Sequence, residues 1–172
     1  SNSYEWIYDG TPPSVSFSVT DQDNIIILDS LTTNDKNLFF TYTISENVSD
    51  FDETDLTVTG GIIESFVAIS SKIYTFTFTP DSDGSTYVGL APSAFSDPAG
   101  NSNATSLDFH WTYDGTGPVM SISATNGKGE SLQSGSASND ELLLLTFSST
   151  EPTQDFTEAD VTLTNGSISN FT

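Results

Sequence analysis

The sequence predicts an all-β fold, built from antiparallel sandwich modules that repeat along the chain. Three observations predict it: apolar and hydroxyl-bearing residues alternate, turn residues separate the alternating runs, and phrases return at an offset of about 105 residues. Tyr8-Asp-Gly-Thr11 returns as Tyr113-Asp-Gly-Thr116, and Asp55-Leu-Thr-Val-Thr59 returns as Asp160-Val-Thr-Leu-Thr164. A domain-sized repeat is typical of proteins that build length.

Each predicted strand is a run in which every second side chain is apolar. Four long runs lie at 15–19, 38–44, 74–79 and 107–113, and shorter ones at 25–28, 56–59, 62–68 and 86–90. Asp, Asn, Gly, Pro and Ser residues separate the runs, and no helical pattern is present. Seven or eight strands in about 105 residues predict a two-sheet sandwich of the immunoglobulin type. Trp6 and Trp111 alternate with apolar neighbours and are predicted to lie in the core.

The offset also divides the chain into modules. Residues 1–7 correspond to 106–112, and are therefore predicted to be the last strand of a preceding module. Residues 8–112 form one complete module, and residues 113–172 form the N-terminal part of a second. The sequence leaves open whether another chain completes this second module. An isolated half-sandwich would expose strand edges and an apolar face.

The amino-acid composition limits the classes of function that the chain can have. The chain has 24 acidic residues, three basic residues and a formal net charge of -21, a balance that argues strongly against nucleic acids and anionic membranes as partners and favours cations. There is no cysteine, so neither disulfides nor thiol chemistry is available. His110 is the single histidine and points outward from a predicted strand, so no catalytic triad can be assembled and the chain is not expected to be an enzyme.

Several phrases together resemble a known family. They are Tyr8-Asp-Gly-Thr-Pro-Pro13, the acidic stretch 51–61, Tyr74-Thr-Phe-Thr-Phe-Thr-Pro80 and Ser96-Asp-Pro-Ala-Gly-Asn101. They resemble the bacterial immunoglobulin-like repeats that occur in tandem in large extracellular adhesins and surface fibre proteins. The resemblance implies secretion, an extracellular or cell-surface location, a stalk or fibre role and, in some members, calcium at the domain junctions.

A calcium site is one candidate. Asp9 and Asp114 lie in the short connections between modules, and Asp97 lies in an Asp-Pro-Ala-Gly-Asn loop. End-to-end stacking of modules would bring such loops together and offer oxygen ligands to Ca²⁺. The alternative is that Asp-Gly and Asp-Pro are ordinary turn formers.

Other acidic groups favour structural roles. The cluster of Asp50, Asp52, Glu53 and Asp55 is interpreted mainly as turn capping. The Asp81-Ser-Asp83-Gly84 phrase is interpreted as a hairpin turn.

Glycosylation is a second chemical expectation. Four asparagines begin Asn-X-Ser/Thr sequons: Asn47, Asn103, Asn165 and Asn170. In a secreted eukaryotic protein they would be candidate acceptor sites, whereas in a typical bacterium they would mean little.

The sequence therefore predicts a structural segment of an extracellular fibre or stalk, whose partners are copies of itself or further modules joined head to tail. One form of this hypothesis completes the second module with the segment 1–8 of a neighbouring chain. The alternative is an adhesin module that binds carbohydrate or protein through its loops, for which Phe39 and Phe95 are the aromatic residues to examine.

Overall fold

The computed structural model describes residues 2–172, which form two compact units, one ending at Thr116 and one spanning Gly117–Thr172. Both are β structures. No helix among the described residues is long and apolar enough to cross a membrane.

The first unit contains eight strands in two sheets. They are β1 (Val15–Thr20), β2 (Thr32–Thr33), β3 (Leu38–Ile44), β4 (Leu56–Thr59), β5 (Gly61–Ala68), β6 (Ile73–Pro80), β7 (Gly84–Leu90) and β8 (Leu107–Tyr113). One sheet has the order β1-β3-β6-β5 and the other the order β2-β8-β7-β4. All pairs are antiparallel except β2 with β8, which is parallel. The predicted all-β fold is confirmed, and the open, stacked sheets are those of an immunoglobulin-like sandwich.

The alternation of buried and exposed side chains along the strands shows which residues form the core. In β3, Leu38, Phe40, Tyr42 and Ile44 are all buried, while Phe39 on the opposite face is 40% exposed. β6 follows the same pattern and presents three buried aromatic residues next to those of β3. Because side chains of a strand alternate between faces, one apolar row per strand is enough to build this half of the core.

Aromatic rings from the two sheets interlock at the centre. Phe40 stacks on Phe76 within one sheet, with ring centroids 4.8 Å apart. From the other sheet, Phe109 meets Phe40 edge to face at 5.6 Å, and Trp111 meets Phe78 edge to face at 4.6 Å. Edge-to-face pairs at these distances stabilise a core beyond the apolar area they bury. The indole N–H of Trp111 is buried without a partner, so packing alone holds this ring.

The second unit is a single sheet. Its strands β9 (Met120–Asn126), β10 (Ser131–Leu132) and β11 (Leu143–Ser149) are antiparallel in the order β10-β9-β11. A single 3₁₀ turn, Glu158–Asp160, follows β11. Phe147 contacts Phe156, and Phe156 contacts Phe171, at centroid distances of 5.3 and 5.7 Å. Ile122 remains 61% exposed, because no second sheet covers this face within the unit.

The strand predicted at residues 1–7 belongs to a preceding module, and this division stays a prediction. Ser1 lies outside the described residues, and residues 2–14 contain no strand. Within the described residues Trp111 is a core residue, at 2% exposed, whereas Trp6 is 71% exposed. The reason is that Trp111 lies on a strand flanked by β7 and β2. Residues 2–8 pair with no strand.

The two module connections nevertheless share a local conformation. The ring of Tyr8 lies across Gly10, where a Cβ atom would come within 2.6 Å of the tyrosine oxygen. Tyr113 lies across Gly115 in the same way. A side chain at either glycine would therefore displace the tyrosine ring two residues earlier.

We expect the core to respond to substitutions on one face of β3 only. Phe40→Ala should lower the free energy of unfolding by about 3–5 kcal/mol, because it leaves a cavity between stacked rings. The matched control is Phe39→Ala on the outer face, where the loss should be under about 1 kcal/mol. Urea unfolding of both variants measures the difference, and equal losses would contradict the assignment of faces.

Candidate metal site in the first unit

Three carboxylates meet at one end of the first unit. Asp9, Glu46 and Asp97 each offer one oxygen, and these oxygens all lie within 4.8 Å of one another. The residues come from separate parts of the chain: Asp9 precedes β1, Glu46 follows β3, and Asp97 lies in the loop between β7 and β8. The fold therefore assembles a group that no local motif contains.

Asp97 is fixed by its own loop. One carboxylate oxygen accepts the backbone N–H groups of Ala99 (2.9 Å) and Asn101 (2.8 Å), and the other accepts the side-chain amide of Asn101 (2.9 Å). The side-chain hydrogen bond from Asn101 is the main reason that the pKa of Asp97 is lowered. Asp97 is only 5% exposed, yet it stays ionised and retains lone pairs for a further ligand.

Asn101 also connects this loop to the segment before β1. Its side-chain amide donates to the carbonyl oxygen of Asp9 at 3.1 Å. The Asp9 carboxylate in turn accepts the N–H of Thr11 at 3.1 Å, which closes a turn. The segment before β1 is thereby held against the loop between β7 and β8.

Glu46 is the member of the group whose ionised form is disfavoured by its surroundings. Burial raises the pKa of its carboxyl, and the charges of Asp9 and Asp97 raise it further, while Lys72 opposes them. The ammonium of Lys72 instead donates to the carbonyl oxygen of Ser45, at 2.9 Å. Three carboxylates with one nearby cation repel one another, and a divalent ion would remove that repulsion. Clustered carboxylate oxygens are the ligand type that Ca²⁺ prefers.

The structure brings together two of the three predicted calcium residues. Asp114 lies beyond the other end of β8, where its N–H donates to the carbonyl oxygen of Thr33 at 3.0 Å. It is therefore not part of the cluster with Asp9 and Asp97. Glu46 was not predicted, although a signal was present: it recurs as Glu151 at the offset that relates Asp9 to Asp114.

Asp83 holds the connection at the opposite end of the unit. It lies in the turn between β6 and β7, as the sequence indicates, and accepts the N–H of Gly115 at 2.7 Å and the hydroxyl of Thr116. The Thr116 hydroxyl is the main cause of the lowered pKa of Asp83. Asp83 therefore fixes the last residues before the second unit begins.

The acidic cluster at residues 50–55 makes hydrogen bonds that hold its own turn and a neighbouring loop. Asp52 accepts the N–H of Thr54 at 2.8 Å, and Asp55 accepts the N–H of Asp52 at 2.9 Å, which caps the 3₁₀ turn Glu53–Asp55. Asp50 accepts the N–H and the hydroxyl of Ser96, so it ties two loops together. These hydrogen bonds support the interpretation of this cluster as turn capping.

Asn103 is a buried structural residue. Its side-chain oxygen accepts the N–H groups of Ala94 (2.8 Å) and Phe95 (3.1 Å), and its amide donates to the carbonyl oxygens of Ala91 (2.9 Å) and Thr105 (3.2 Å). It is 1% exposed. The folded module leaves no room for a glycan there, which corrects the expectation at this sequon. The other three sequon asparagines are exposed: Asn47, Asn165 and Asn170.

His110 lies on the solvent-exposed face of β8. Its ring lies 3.9 Å from the Asp29 carboxylate, and both side chains are more than half exposed. Surface pairs of this kind contribute little to stability. No hydrogen bond within residues 2–172 joins a hydroxyl to this ring.

Residues 9–112 match the model of a family described as bacterial Ig-like domain. No curated protein and no solved structure matches the chain. Domains of this family are generally non-catalytic and typically surface-exposed.

We expect Asn103 to be essential for the β7–β8 loop. Asn103→Ala should lower the free energy of unfolding by roughly 2–4 kcal/mol, because buried N–H and carbonyl groups lose their partners. Asn47→Ala is the matched control. Asn47 accepts one exposed hydrogen bond, from the Ser71 hydroxyl, and its loss should cost under about 1 kcal/mol. Chemical denaturation measures both, and a tolerant Asn103 would contradict the described network.

Proposed function

Since this chain belongs to the bacterial Ig-like domain family, we propose that it is a structural segment of an extracellular fibre or stalk, with modules joined head to tail. The main support for this proposal is that secondary-structure elements of the first unit recur in the second unit at a constant spacing. β3 (Leu38–Ile44) and β11 (Leu143–Ser149) differ by 105 in residue number, as do the 3₁₀ turns Glu53–Asp55 and Glu158–Asp160. A module that returns at constant spacing builds length.

The hydrogen bonds at the connections support a stiff linkage. Asp83 holds Gly115 and Thr116 from the side of the preceding module. Asn101 holds Asp9, in the equivalent connection, from the side of the following module. If each connection has both contacts, few of its residues are free to bend. The mechanical role then follows from short, doubly held linkers between closed sandwiches.

We propose that Ca²⁺ binds between Asp9, Glu46 and Asp97. The ion would neutralise the repulsion at Glu46 and fix the connection against its module. By the sequence offset, Asp114 and Glu151 take the places of Asp9 and Glu46 in the second module. Each module would then contribute its own ion site.

The surface suits an exposed filament. The net charge of -21 makes neighbouring filaments repel one another, and outward hydroxyl groups keep the outer faces of the sheets hydrated. In a glycosylating organism Asn47, Asn165 and Asn170 are accessible acceptors. The partners of such a segment are further modules or further copies.

The positions of the aromatic residues favour the spacer over the adhesin. In the loops between strands of the first unit, Phe51 and Phe95 are 4% and 2% exposed, so neither is available to a ligand. Phe39 is 40% exposed but lies on the outer face of β3, among threonines. A loop-based binding module would present aromatic side chains at its loops.

Calcium should stabilise the first unit in a saturable way. At a free Ca²⁺ concentration one hundred times the dissociation constant, the gain is about 2.7 kcal/mol. Extracellular modules bind Ca²⁺ with dissociation constants of about 10⁻⁴–10⁻³ M. Thermal unfolding with Ca²⁺, with EDTA and with NaCl of equal ionic strength tests this. A rise that NaCl reproduces would mean charge screening, and would refute the site.

The effect of Glu46→Gln on the stability of the first unit should change sign when Ca²⁺ is added. Without Ca²⁺ at pH 7 the variant should be more stable than the parent, because the raised pKa of Glu46 means that ionisation costs stability as pH rises through and above the ordinary carboxyl range. Near pH 3 the carboxyl group of Glu46 is protonated and, like the amide of the variant, neutral. The difference in stability between parent and variant should then vanish. With saturating Ca²⁺ the variant should be the less stable of the two, since a ligand is lost.

Glu53→Gln is the control for charge removal outside the cluster. Glu53 is exposed and lies at the other acidic turn. It should not change the response to Ca²⁺. Melting temperatures at two pH values, with and without Ca²⁺, give all the comparisons, and the same response from both variants would argue against the cluster.

Electron microscopy of the native assembly tests the fibre itself. The proposal predicts filaments with periodic density at a spacing of one or two modules. Free, globular particles in the native material would contradict it.

A further inference from the structure

The outer face of one sheet of the first unit carries a group of aromatic and polar side chains. The sheet is the one with the order β2-β8-β7-β4, and its core side chains lie on the opposite face of the same strands. On the outer face, Tyr87 of β7 lies opposite His110 of β8, and Gly89 lies opposite Asp108. Asp29, from the segment before β2, accepts the backbone N–H of His110 at 2.8 Å.

The ring of Tyr87 lies along the sheet, over Gly89. The glycine leaves room for it, because a Cβ atom at this position would collide with the ring and its hydroxyl. The hydroxyl donates to a carboxylate oxygen of Asp108 at 2.5 Å, and this hydrogen bond is the main reason that the pKa of Tyr87 is raised. The imidazole of His110 lies beside the ring, with centroids 4.8 Å apart. The ring is therefore held in one orientation before any ligand arrives.

Hydrogen-bonding groups border this ring on both sides. On the β4 side, the exposed residues Thr57 and Thr59 pair with the outward positions of β7 and so share its outer face. On the β8 side, the side chains of His110 and Asp29 are 59% and 58% exposed. Neighbouring strands lie about 4.8 Å apart, so the surface from β4 to β8 is roughly 10 Å wide.

The sandwich itself does not require these polar side chains. At the repeat offset of about 105 residues, Glu5 stands in place of His110, and Ser134 stands in place of Asp29. The inward tryptophan that follows His110 on β8 does recur at this offset. A side chain that the fold needed would be expected to recur in the same way, so the group indicates a role other than folding.

We propose that this outer face is a carbohydrate-binding site with Tyr87 as its platform. A pyranose with equatorial hydroxyls, such as β-glucose, presents a flat face of axial C–H groups, and these pack on the electron-rich face of an aromatic ring. Its hydroxyls then lie around the rim of the sugar, where Asp29 and Asp108 can accept hydrogen bonds and His110 can donate one. This role goes beyond the proposed stalk and does not rest on it.

Other classes of ligand use only part of this surface. Among residues 2–172, the carboxylates of the candidate metal site are the only acidic or histidine side chains grouped closely enough to hold a metal ion. A cationic peptide would use the ring and the carboxylates, but not the imidazole or the threonine hydroxyls. Asp29 and Asp108 also accept hydrogen bonds from the protein already, which disperses their charge. A neutral sugar therefore fits the surface better than a cation.

Titration of the full chain with cellohexaose, a soluble β-linked glucose oligomer, tests the site. The expected result is saturable binding that shifts the NMR amide signals of β4, β7 and β8 and leaves those of β1 and β3 in place. Because the sugar is uncharged, its affinity should not change when NaCl is added. A parallel titration with oligolysine tests the cationic alternative.

Three variants locate the binding surface. Tyr87→Ala should weaken cellohexaose binding at least about tenfold, the effect of losing the aromatic anchor. Asp108→Asn should weaken it about fivefold, because a charged acceptor becomes a neutral one. Asp108 is exposed, so this variant tests the site even if Tyr87→Ala unfolds. Phe39→Ala is the matched control: it removes a partly exposed ring from the outer face of the other sheet, and should leave binding unchanged.

Three outcomes would overturn the inference. They are the absence of amide shifts up to the solubility limit of cellohexaose, equal losses of affinity in Tyr87→Ala and Phe39→Ala, and binding of oligolysine in place of the sugar at the same amides. The last outcome, with an affinity that falls as NaCl rises, would assign the face to a cationic partner. None of these would affect the proposed head-to-tail stalk, which calcium binding and imaging of the native assembly test separately.

Discussion

The contact of Phe109 and Trp111 with the aromatic rows of the opposite sheet is the interaction on which the first unit depends. It closes the sandwich, because rings from β8 reach across to rings of β1, β3 and β6. The second unit has counterparts of β1 and β3 but no covering sheet, and its apolar residues stay exposed. The same strand pattern therefore gives a closed core in one unit and an open face in the other.

Charge is the second constraint on this chain. Most carboxylates with a described role are compensated locally: Asp52, Asp83 and Asp97 each accept backbone N–H groups. Glu46 is different, because burial, followed by the negative charges of Asp9 and Asp97, raises the pKa of its carboxyl group. This acidic group, which the fold leaves uncompensated, is where we propose that a cation binds.

The sequence predicted the sheets well because alternation and turn residues are local signals. It predicted Asp97 and Asp9 from their loops, but missed Glu46, since only folding brings the turn after β3 beside them. Alternation does not explain the different burial of Trp6 and Trp111, because it defines a face without showing whether a partner sheet is present. Asn103 was wrong as a glycan acceptor because a three-residue sequon carries no information on burial.

Hydrogen exchange followed by mass spectrometry tests most directly whether closure by the second sheet stabilises each unit. We expect amides of β3 to exchange at least about a hundredfold more slowly than amides of β11. The two strands lie 105 residues apart in the repeat; β3 is flanked by two strands and covered by a second sheet, whereas β11 pairs only with β9 and has no covering sheet within its unit. Equal protection in β3 and β11 would show that a single sheet is stable alone, and would contradict the account.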